Sequence, residues 1–303
     1  MFDLVHIPPL EEIRSGSLEK KKVRIFIKRD DQIDSEISGN KWRKLKYNFL
    51  EARSQGFKNI LTFGGAFSNH IAATAAAARA FGFQSIGIIR GHELNDKSNP
   101  TLSKAHRDGM DLKFISRDQY RKRKEPGWLN ELQQMYKAFF IPEGGSNDLA
   151  VKGVGEMMNE IDEHFDYIVC PVGTGGTLAG IVSGLQSSQQ AIGISVLKGM
   201  SDLEDSVSVL SGLNSNFHIN HYYHFGGYGK FNTSLIEFMQ AFYQEYKIVL
   251  DPIYTGKMMY GVLDMIDTNQ IPTDSKIICL HTGGLQGISG FNEKHQLSLP
   301  TIH

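Results

Sequence analysis

Short apolar runs alternate with longer amphipathic stretches along most of the chain. The runs are continuously apolar, which is typical of strands buried on both faces of a parallel sheet. They predict strands over residues 23–28, 59–63, 84–90, 112–115, 138–141, 167–172, 191–196 and 276–280. The stretches between them predict helices over 41–54, 68–81, 102–108, 128–136, 148–164 and from about 177 onward. Repeated strand–helix units of this kind predict an α/β fold.

Composition changes this picture little. The chain has 303 residues, with 41% hydrophobic and 21% charged residues, as expected of a folded protein with a real core. The net charge of -1 gives no electrostatic case for binding nucleic acid or an acidic membrane. The apolar run over 71–80 is too short to span a membrane and contains Arg79. We found no basic-then-apolar signal pattern at the N-terminus, so a cytoplasmic location is the default expectation.

The two cysteines, Cys170 and Cys279, lie in apolar runs that read as buried strands. We therefore expect reduced thiols in the core, neither a disulfide framework nor a metal site.

A lysine at a helix start is the first candidate for chemistry. Gly39 and Asn40 are turn and cap residues, so Lys41 is expected at or near the first turn of a helix. The helix dipole disfavours a cation there, which helps to lower the lysine pKa. A neutral amine is what Schiff-base chemistry needs. Taken alone, this stretch fits a solvated lysine beside Arg43 and Lys44 better, because most lysines are on the surface.

Four glycine-rich turns follow strand-like runs, at 64–70, 144–147, 173–177 and 283–287. In open α/β sheets, ligands bind beyond the carboxyl ends of the strands, so these turns are candidates for one shared crevice. The turn Gly173–Thr177 has the strand–loop–helix form of an anion site. It lacks the Gly-Lys-Ser/Thr of a Walker loop, and position 178 is Leu where the dinucleotide fingerprint has Gly. It therefore indicates either a phosphate carried by something other than a nucleotide or an ordinary tight turn.

Other polar residues suit a substrate. Ser68 is a natural N-cap, and together with Asn69 and His70 it also suits a carboxylate at a helix start. Tyr228 lies between glycines and Tyr254 follows an Asp-Pro pair. A phenol held in a cleft exchanges a proton with substrate, although aromatic packing is the commoner role of tyrosine.

Five ordered motifs together resemble one enzyme family. They are Gly39-Asn40-Lys41-x-Arg43-Lys44-Leu45, Ser68-Asn69-His70, Gly173-Thr174-Gly175-Gly176-Thr177, Asp251-Pro252-x-Tyr254-Thr255-Gly256-Lys257 and His281-Thr282-Gly283-Gly284. The set resembles the 1-aminocyclopropane-1-carboxylate (ACC) deaminase / D-cysteine desulfhydrase family, which are pyridoxal 5'-phosphate enzymes of fold type II (tryptophan synthase β-like). The resemblance runs from about residue 28 to 291; the segment 200–222 matches nothing in it.

The resemblance implies how the cofactor is held. Lys41 is the implied Schiff-base lysine. The phosphate falls to Gly173, Thr174, Gly175, Gly176 and Thr177. Asn69 is implied at the ring hydroxyl and Thr282 at the pyridine nitrogen.

It also implies a substrate site and an architecture. Lys41, Ser68, Tyr228 and Tyr254 are the implied catalytic residues, and Ser68, Asn69, His70, Tyr228, Tyr254 and Thr255 contact the substrate. The implied fold has two domains with largely parallel sheets flanked by helices. The large cofactor-binding domain comprises 1–46 plus 146–303, and the small domain 47–145. A homodimer is also implied.

Two positions separate the branches of the family. ACC deaminases usually have Glu where Thr255 stands and Leu where Thr282 stands. The two threonines therefore favour β-elimination of D-cysteine to pyruvate, hydrogen sulfide and ammonia. Deamination of ACC to 2-oxobutyrate stays open, as do a broad β-eliminase or racemase and a non-catalytic binder of a phosphorylated metabolite.

Overall fold

The computed structural model describes residues 7–302. Their strands are β1 (Leu10–Ile13), β2 (Arg24–Lys28), β3 (Asn59–Gly65), β4 (Gln84–Arg90), β5 (Met110–Ile115), β6 (Ala138–Ile141), β7 (Tyr167–Val172), β8 (Gln190–Ser195), β9 (Phe217–Asn220) and β10 (Lys276–Leu280). They form a six-stranded sheet in the order β1-β2-β10-β7-β8-β9 and a four-stranded sheet in the order β5-β4-β3-β6. All pairings are parallel except β1 with β2.

The helices are α1 (Gly16–Lys21), α2 (Asn40–Ser54), α3 (Asn69–Phe81), α4 (Pro100–Arg107), α5 (Arg117–Arg121), α6 (Pro126–Tyr136), α7 (Asp148–Gly155), α8 (Gly176–Ser183), α9 (Leu203–Ser211), α10 (Thr233–Tyr246), α11 (Thr255–Asp267) and α12 (Ile288–His295). The α/β class and the mainly parallel sheets predicted from the apolar runs are thereby confirmed. The division into domains at 47 and 145 stays a prediction, although the four-stranded sheet draws its strands from 59–141 and the other sheet from either side.

One predicted helix is shorter than expected. The pattern over 148–164 predicted a single helix, but α7 ends at Gly155 and a 3-10 turn, Glu156–Glu160, follows it. The helix packs closely on α2: a Cβ at Gly153 would stand 2.0 Å from the Arg43 carbonyl oxygen. The tighter turn carries Glu160 to the Arg43 guanidinium.

Buried charges fix the start of α2. Arg43 donates to both carboxylate oxygens of Asp30, at 2.6 and 2.8 Å, and to both of Glu160, at 2.7 and 2.8 Å. The Lys28 ammonium lies 2.9 Å from Glu160. Bidentate pairs of this kind set orientation as well as distance. The helix that begins beside Lys41 is thus tied to β2 and to the turn after α7.

The thiols of Cys170 and Cys279 are free and buried, as expected from their apolar runs. Burial raises the pKa of Cys170 to about 12. Within residues 7–302, no helix is long and apolar enough to cross a membrane.

Candidate active site

A cleft of about 1360 Å³ opens at the carboxyl ends of strands from both sheets. The turns that follow β3, β6, β7 and β10 all line it, so the four glycine-rich turns share one crevice. This placement follows from the parallel sheets, in which loops after the strands meet at one edge.

Lys41 lies in this cleft within the first turn of α2. Its Nζ donates to the Asn40 side-chain oxygen at 3.0 Å. Burial lowers the lysine pKa to about 8, against the opposing attraction of Asp251. The sequence predicted a lowered pKa from the helix dipole; the main cause in the structure is desolvation.

Gly39 brings the lysine against the turn after β10. Its φ is +66°, and a Cβ there would stand 1.9 Å from the Thr282 carbonyl oxygen. That oxygen accepts from the Asn40 amide at 3.3 Å. Only glycine permits this approach, so Thr282 is held beside the base of Lys41.

The turn Gly173–Thr177 runs from the end of β7 into α8. Gly175 caps α8 at φ +82°, which leaves the first amides of that helix available to an anion. Thr177 Oγ1 accepts from the Asn40 side-chain amide at 2.7 Å. The glycine turn and the Lys41 helix are therefore fixed to each other.

Lys44 was missed as a site residue, because it was interpreted as a solvated neighbour of Lys41. It is buried and lines the cleft. Its Nζ donates to the Gly144 carbonyl at 2.9 Å and to the Ser146 hydroxyl at 3.0 Å. Burial, with the nearby Lys41 charge, lowers its pKa well below the usual value. The available signal was its position three residues after Lys41, on the same face of the helix.

The turn after β3 supplies Ser68, Asn69 and His70 at the start of α3. The Ser68 hydroxyl caps the helix by accepting from the Ile71 amide at 3.3 Å. Asn69 accepts from Gln286 at 3.1 Å, which joins this turn to the one after β10. All three residues line the cleft, where the helix start suits an anion.

The proton of His70 is assigned by its hydrogen bonds. Thr62 donates its hydroxyl proton to the Ile141 carbonyl at 2.7 Å, so it accepts from His70 Nε2 at 2.8 Å. The other ring nitrogen, Nδ1, then carries a lone pair and is buried without a partner among the described residues. Burial and the nearby lysines lower the pKa of His70 well below 6.5, so the ring stays neutral.

Tyr228 and Tyr254 meet edge to face across the cleft, with their ring centroids 6.1 Å apart. Burial raises the pKa of both phenols, and that of Tyr254 rises well above 10. Tyr228 as a whole residue is 42% exposed. Both phenols hold their protons at neutral pH and are poised as proton donors.

Thr255 is not where the resemblance implied. Its side chain is fully buried and is absent from the cleft lining. It opens α11, and its hydroxyl is hydrogen-bonded to Asp251, as donor to Oδ1 at 2.9 Å and as acceptor from the amide at 2.8 Å. Asp251 also accepts from the amides of Ile253, Tyr254 and Thr255 at 2.8–3.0 Å. Asp251 had no predicted role, yet its carboxylate orders the backbone that carries Tyr254.

Thr282 does line the cleft. Its hydroxyl makes no hydrogen bond to any residue from 7 to 302, so it is available to a ligand beside Lys41.

These residues fit a pyridine aldehyde that carries a phosphate. A Cβ at Gly176 would stand 3.0 Å from Lys44 Nζ and 2.5 Å from the Ser146 hydroxyl, so the missing side chain leaves room beside a cation and a donor. The buried Nδ1 of His70 and the free hydroxyl of Thr282 are polar groups that still lack partners within the described part of the chain. The glycine amides, with Lys44, would hold the phosphate, and Lys41 and Thr282 would hold the ring.

Comparison with known proteins gives the same answer. The family model described as "Pyridoxal-phosphate dependent enzyme" matches residues 2–283. A putative ACC deaminase of Pyrococcus horikoshii is 32% identical over 89% of this chain and 87% of its own length. A bifunctional D-cysteine desulfhydrase/ACC deaminase of Arabidopsis thaliana, described as mitochondrial, is 32% identical over 95% of this chain and 79% of its own length. The solved structure of an ACC deaminase homologue superposes with a TM-score of 0.79, at 28% identity over 96% of this chain and 94% of that one. The chain therefore belongs to the pyridoxal-phosphate-dependent enzymes of fold type II, within the group that includes ACC deaminases and D-cysteine desulfhydrases.

Proposed function

We propose that this enzyme eliminates thiol from D-cysteine, giving pyruvate, hydrogen sulfide and ammonia. The observation that carries the choice is the unpartnered Thr282 hydroxyl in the cleft beside Lys41. A hydroxyl near the pyridine nitrogen would demand less charge on the ring than the pattern usual in ACC deaminases, which has Leu in place of Thr282 and a glutamate carboxylate in place of Thr255. A milder electron sink is sufficient for losing a good leaving group such as thiolate, whereas opening a cyclopropane ring requires a stronger one.

The cofactor supplies the electron sink that stabilises negative charge at the substrate Cα. Lys41 would hold the cofactor covalently, and its Nζ would take the α-proton of the substrate; its pKa of about 8 leaves part of the amine neutral. The start of α3, with Ser68, Asn69 and His70, orients the substrate carboxylate. The turn Gly173–Thr177 would bind the phosphate, together with Lys44.

The tyrosine pair completes the reaction. As the Cβ–S bond breaks, the electron pair stays on sulfur, which takes a proton from Tyr254 or Tyr228. The released enamine adds water and yields pyruvate and ammonia, and the proton held by Lys41 restores the tyrosine. A β-elimination thus needs one base and one acid, and the cleft lining includes both kinds of group.

Parallel assays of the purified enzyme test this proposal. D-cysteine, L-cysteine and ACC are offered at equal concentration, and sulfide with pyruvate is scored against 2-oxobutyrate. Sulfide from D-cysteine alone is expected. Production of 2-oxobutyrate from ACC would instead favour the alternative activity, which the names of the relatives also suggest.

Variants at position 282 test the role of the Thr282 hydroxyl. Thr282→Leu introduces the residue usual in ACC deaminases and is expected to lower kcat/KM for D-cysteine on the order of 10-fold or more. Thr282→Ser keeps the hydroxyl and serves as the matched control, with activity near that of the wild type. Equal activity of the two variants on D-cysteine would contradict a role for the Thr282 hydroxyl in the reaction.

A non-catalytic binder is tested by Lys41→Ala. The expected variant is colourless and inactive, because the covalent attachment of the cofactor is lost. A yellow, active variant would contradict the role of Lys41 as the lysine that binds the cofactor covalently. A homodimer in the cytoplasm completes the proposal, and sedimentation of the purified enzyme and fractionation of the source cells check these two points.

A further inference from the structure

The loop that carries Tyr228 has an unusual backbone. Phe225, Gly226, Gly227 and Gly229 all have positive φ, at 52°, 92°, 115° and 67°. Two backbone hydrogen bonds tighten it, from the Gly227 amide to His224 at 3.0 Å and from Lys230 to Gly227 at 3.1 Å. Glycine-rich backbone loses much conformational entropy when it is ordered. The position of Tyr228 therefore depends on what anchors this loop.

The anchor is a buried lysine from another element. Lys257, on α11, is fully buried. Its Nζ donates to the His224 carbonyl and to the Gly227 carbonyl, each at 2.8 Å. The second of these carbonyls belongs to the peptide bond that joins Gly227 to Tyr228. One side chain thus holds both ends of the turn that leads into the tyrosine.

The same helix start also holds the second tyrosine. Tyr254 lies three residues before Lys257, and its amide donates to Asp251 at 3.0 Å. Both phenols are therefore fixed to the first turn of α11, one through Asp251 and the other through Lys257. Their edge-to-face contact depends on two anchors that lie within one helical turn of each other.

We propose that Lys257 is a positioning residue for the elimination, which sets the Tyr228 hydroxyl against Tyr254 without itself touching substrate. This inference rests on the proposed role of the two tyrosines as proton donors. It goes beyond that role by assigning the residue that holds one of them in place. Lys257 itself is absent from the cleft lining.

Burial supports a specific purpose for this lysine. Desolvation lowers the Lys257 pKa to about 8, against the opposing attraction of Asp251. A methionine of similar length fills such a space without the cost of burying an amine. A lysine is needed here because its N–H groups bind the two carbonyls of the Tyr228 loop.

Amide hydrogen exchange of the cofactor-loaded enzyme tests the anchor without any substrate. Lys257→Met is expected to speed exchange in a peptide covering 224–230 at least 10-fold, with the peptides of β7 and β10 unchanged. Lys230→Met makes the same change in the same loop at an exposed side chain, and is expected to leave exchange unaltered. Unchanged exchange over 224–230 in Lys257→Met overturns the proposal.

Turnover separates positioning from a general packing role. Lys257→Met is expected to lower kcat on the order of 10²-fold, the scale for a catalytic group displaced by about 1 Å. Because Lys257 acts through Tyr228, the double variant with Tyr228→Phe should be no more than about threefold slower than the slower single variant. Losses that multiply in the double variant overturn the proposal.

Two further results are informative. If Lys257→Met does not fold, Lys257→Leu, which likewise has no donor, enters the same exchange comparison under the same criterion. If the enzyme exchanges as expected but does not act on D-cysteine, the proposed function fails while the anchoring of the loop stands.

Discussion

Gly39 offers the sharpest test of how the fold positions Lys41. Its φ of +66° is costly for any residue with a Cβ, and that Cβ would stand 1.9 Å from the Thr282 carbonyl oxygen and 2.3 Å from its carbon. Gly39→Ala therefore combines a strained backbone with a clash against another backbone segment. Neither contact is to a flexible side chain that can move away.

Gly82 is a control for a positive φ without a clash; its ψ of 33° is left-handed helical, whereas Gly39 has a ψ of -144°, which is more costly for a residue with a Cβ. The φ of Gly82 is +74°, and a Cβ there would have nothing within 4 Å. Alanine in the left-handed region costs about 1–2 kcal/mol, partly offset by about 0.4–1 kcal/mol from the stiffer unfolded chain. Gly82→Ala is thus expected to lower the free energy of unfolding by about 1 kcal/mol and to leave turnover unchanged.

Gly39→Ala adds the clash. The Thr282 turn or the α2 start must move by about 1 Å to restore a normal contact, at a further cost of about 1–3 kcal/mol. A shift of that size between Lys41 and Thr282 is expected to lower kcat on the order of 10²-fold. Urea unfolding and steady-state turnover of both variants provide the comparison. Equal stability and equal activity of the two variants would show that the contact between Gly39 and Thr282 does not position Lys41.

Three further predictions follow from the site. The first concerns the rate at which apoenzyme recovers the visible absorbance of bound pyridoxal phosphate. This rate should rise with pH up to about 8 and then level off, because the Lys41 pKa is lowered to about 8 and the neutral amine is the reactive form. A rate that still rises towards pH 10 would contradict this. Arg43→Met should lower the free energy of unfolding by about 3–5 kcal/mol because it strands two buried carboxylates, whereas Arg53→Met, exposed on the same helix, should change it little. Arg43 and Lys28 hold the Glu160 pKa below its usual 4.5, against the effect of burial. The stability that this ion pair contributes is therefore present above pH 4.5 and is lost as the pH falls through the lowered pKa. The free energies of unfolding of the wild type and of Arg43→Met should converge in acid. Tyr254→Phe should lower kcat on the order of 10²–10⁴-fold while Tyr222→Phe, 86% exposed, leaves it unchanged; similar values for the two variants would remove Tyr254 from the chemistry.

The sequence predicted the interior of the fold better than its edges. The interior strands β4, β7 and β10 have the predicted bounds, because burial on both faces makes them continuously apolar. The edge strand β6 also has the predicted bounds, since it is short and continuously apolar. The edge strands β1 and β9 were missed. β1 contains two glutamates and β9 ends in Asn220, since an edge strand has one neighbour and keeps contact with solvent. The helix α9 within the unassigned segment 200–222 was missed as well.

Glycine-rich turns and the motif around Lys41 pointed to the cleft, whereas two other buried lysines were missed. Glycine-rich turns after apolar runs pointed to the cleft from the sequence alone. Lys44 and Lys257 were not found, because an isolated lysine in a sequence indicates solvent. Their burial depends on carbonyl oxygens far along the chain: Lys44 is 100 residues from Gly144, and Lys257 is 30 residues from Gly227. Such partners exist only once the fold is formed.

Thr255, one of the two positions that separate the family branches in sequence, acts indirectly in this structure. Thr255 does not line the cleft, and its hydroxyl is hydrogen-bonded to Asp251. Burial raises the Asp251 pKa, and the hydrogen bonds from Thr255 and the neighbouring amides oppose that rise. The Asp251 carboxylate in turn opposes the lowering of the Lys41 and Lys257 pKa values. Residue 255 is therefore linked to Lys41, to the Tyr254 backbone and to Lys257 through one buried carboxylate. A glutamate there would place a second negative charge against Asp251, so a change of substrate class at this position involves the electrostatics of the whole cleft floor.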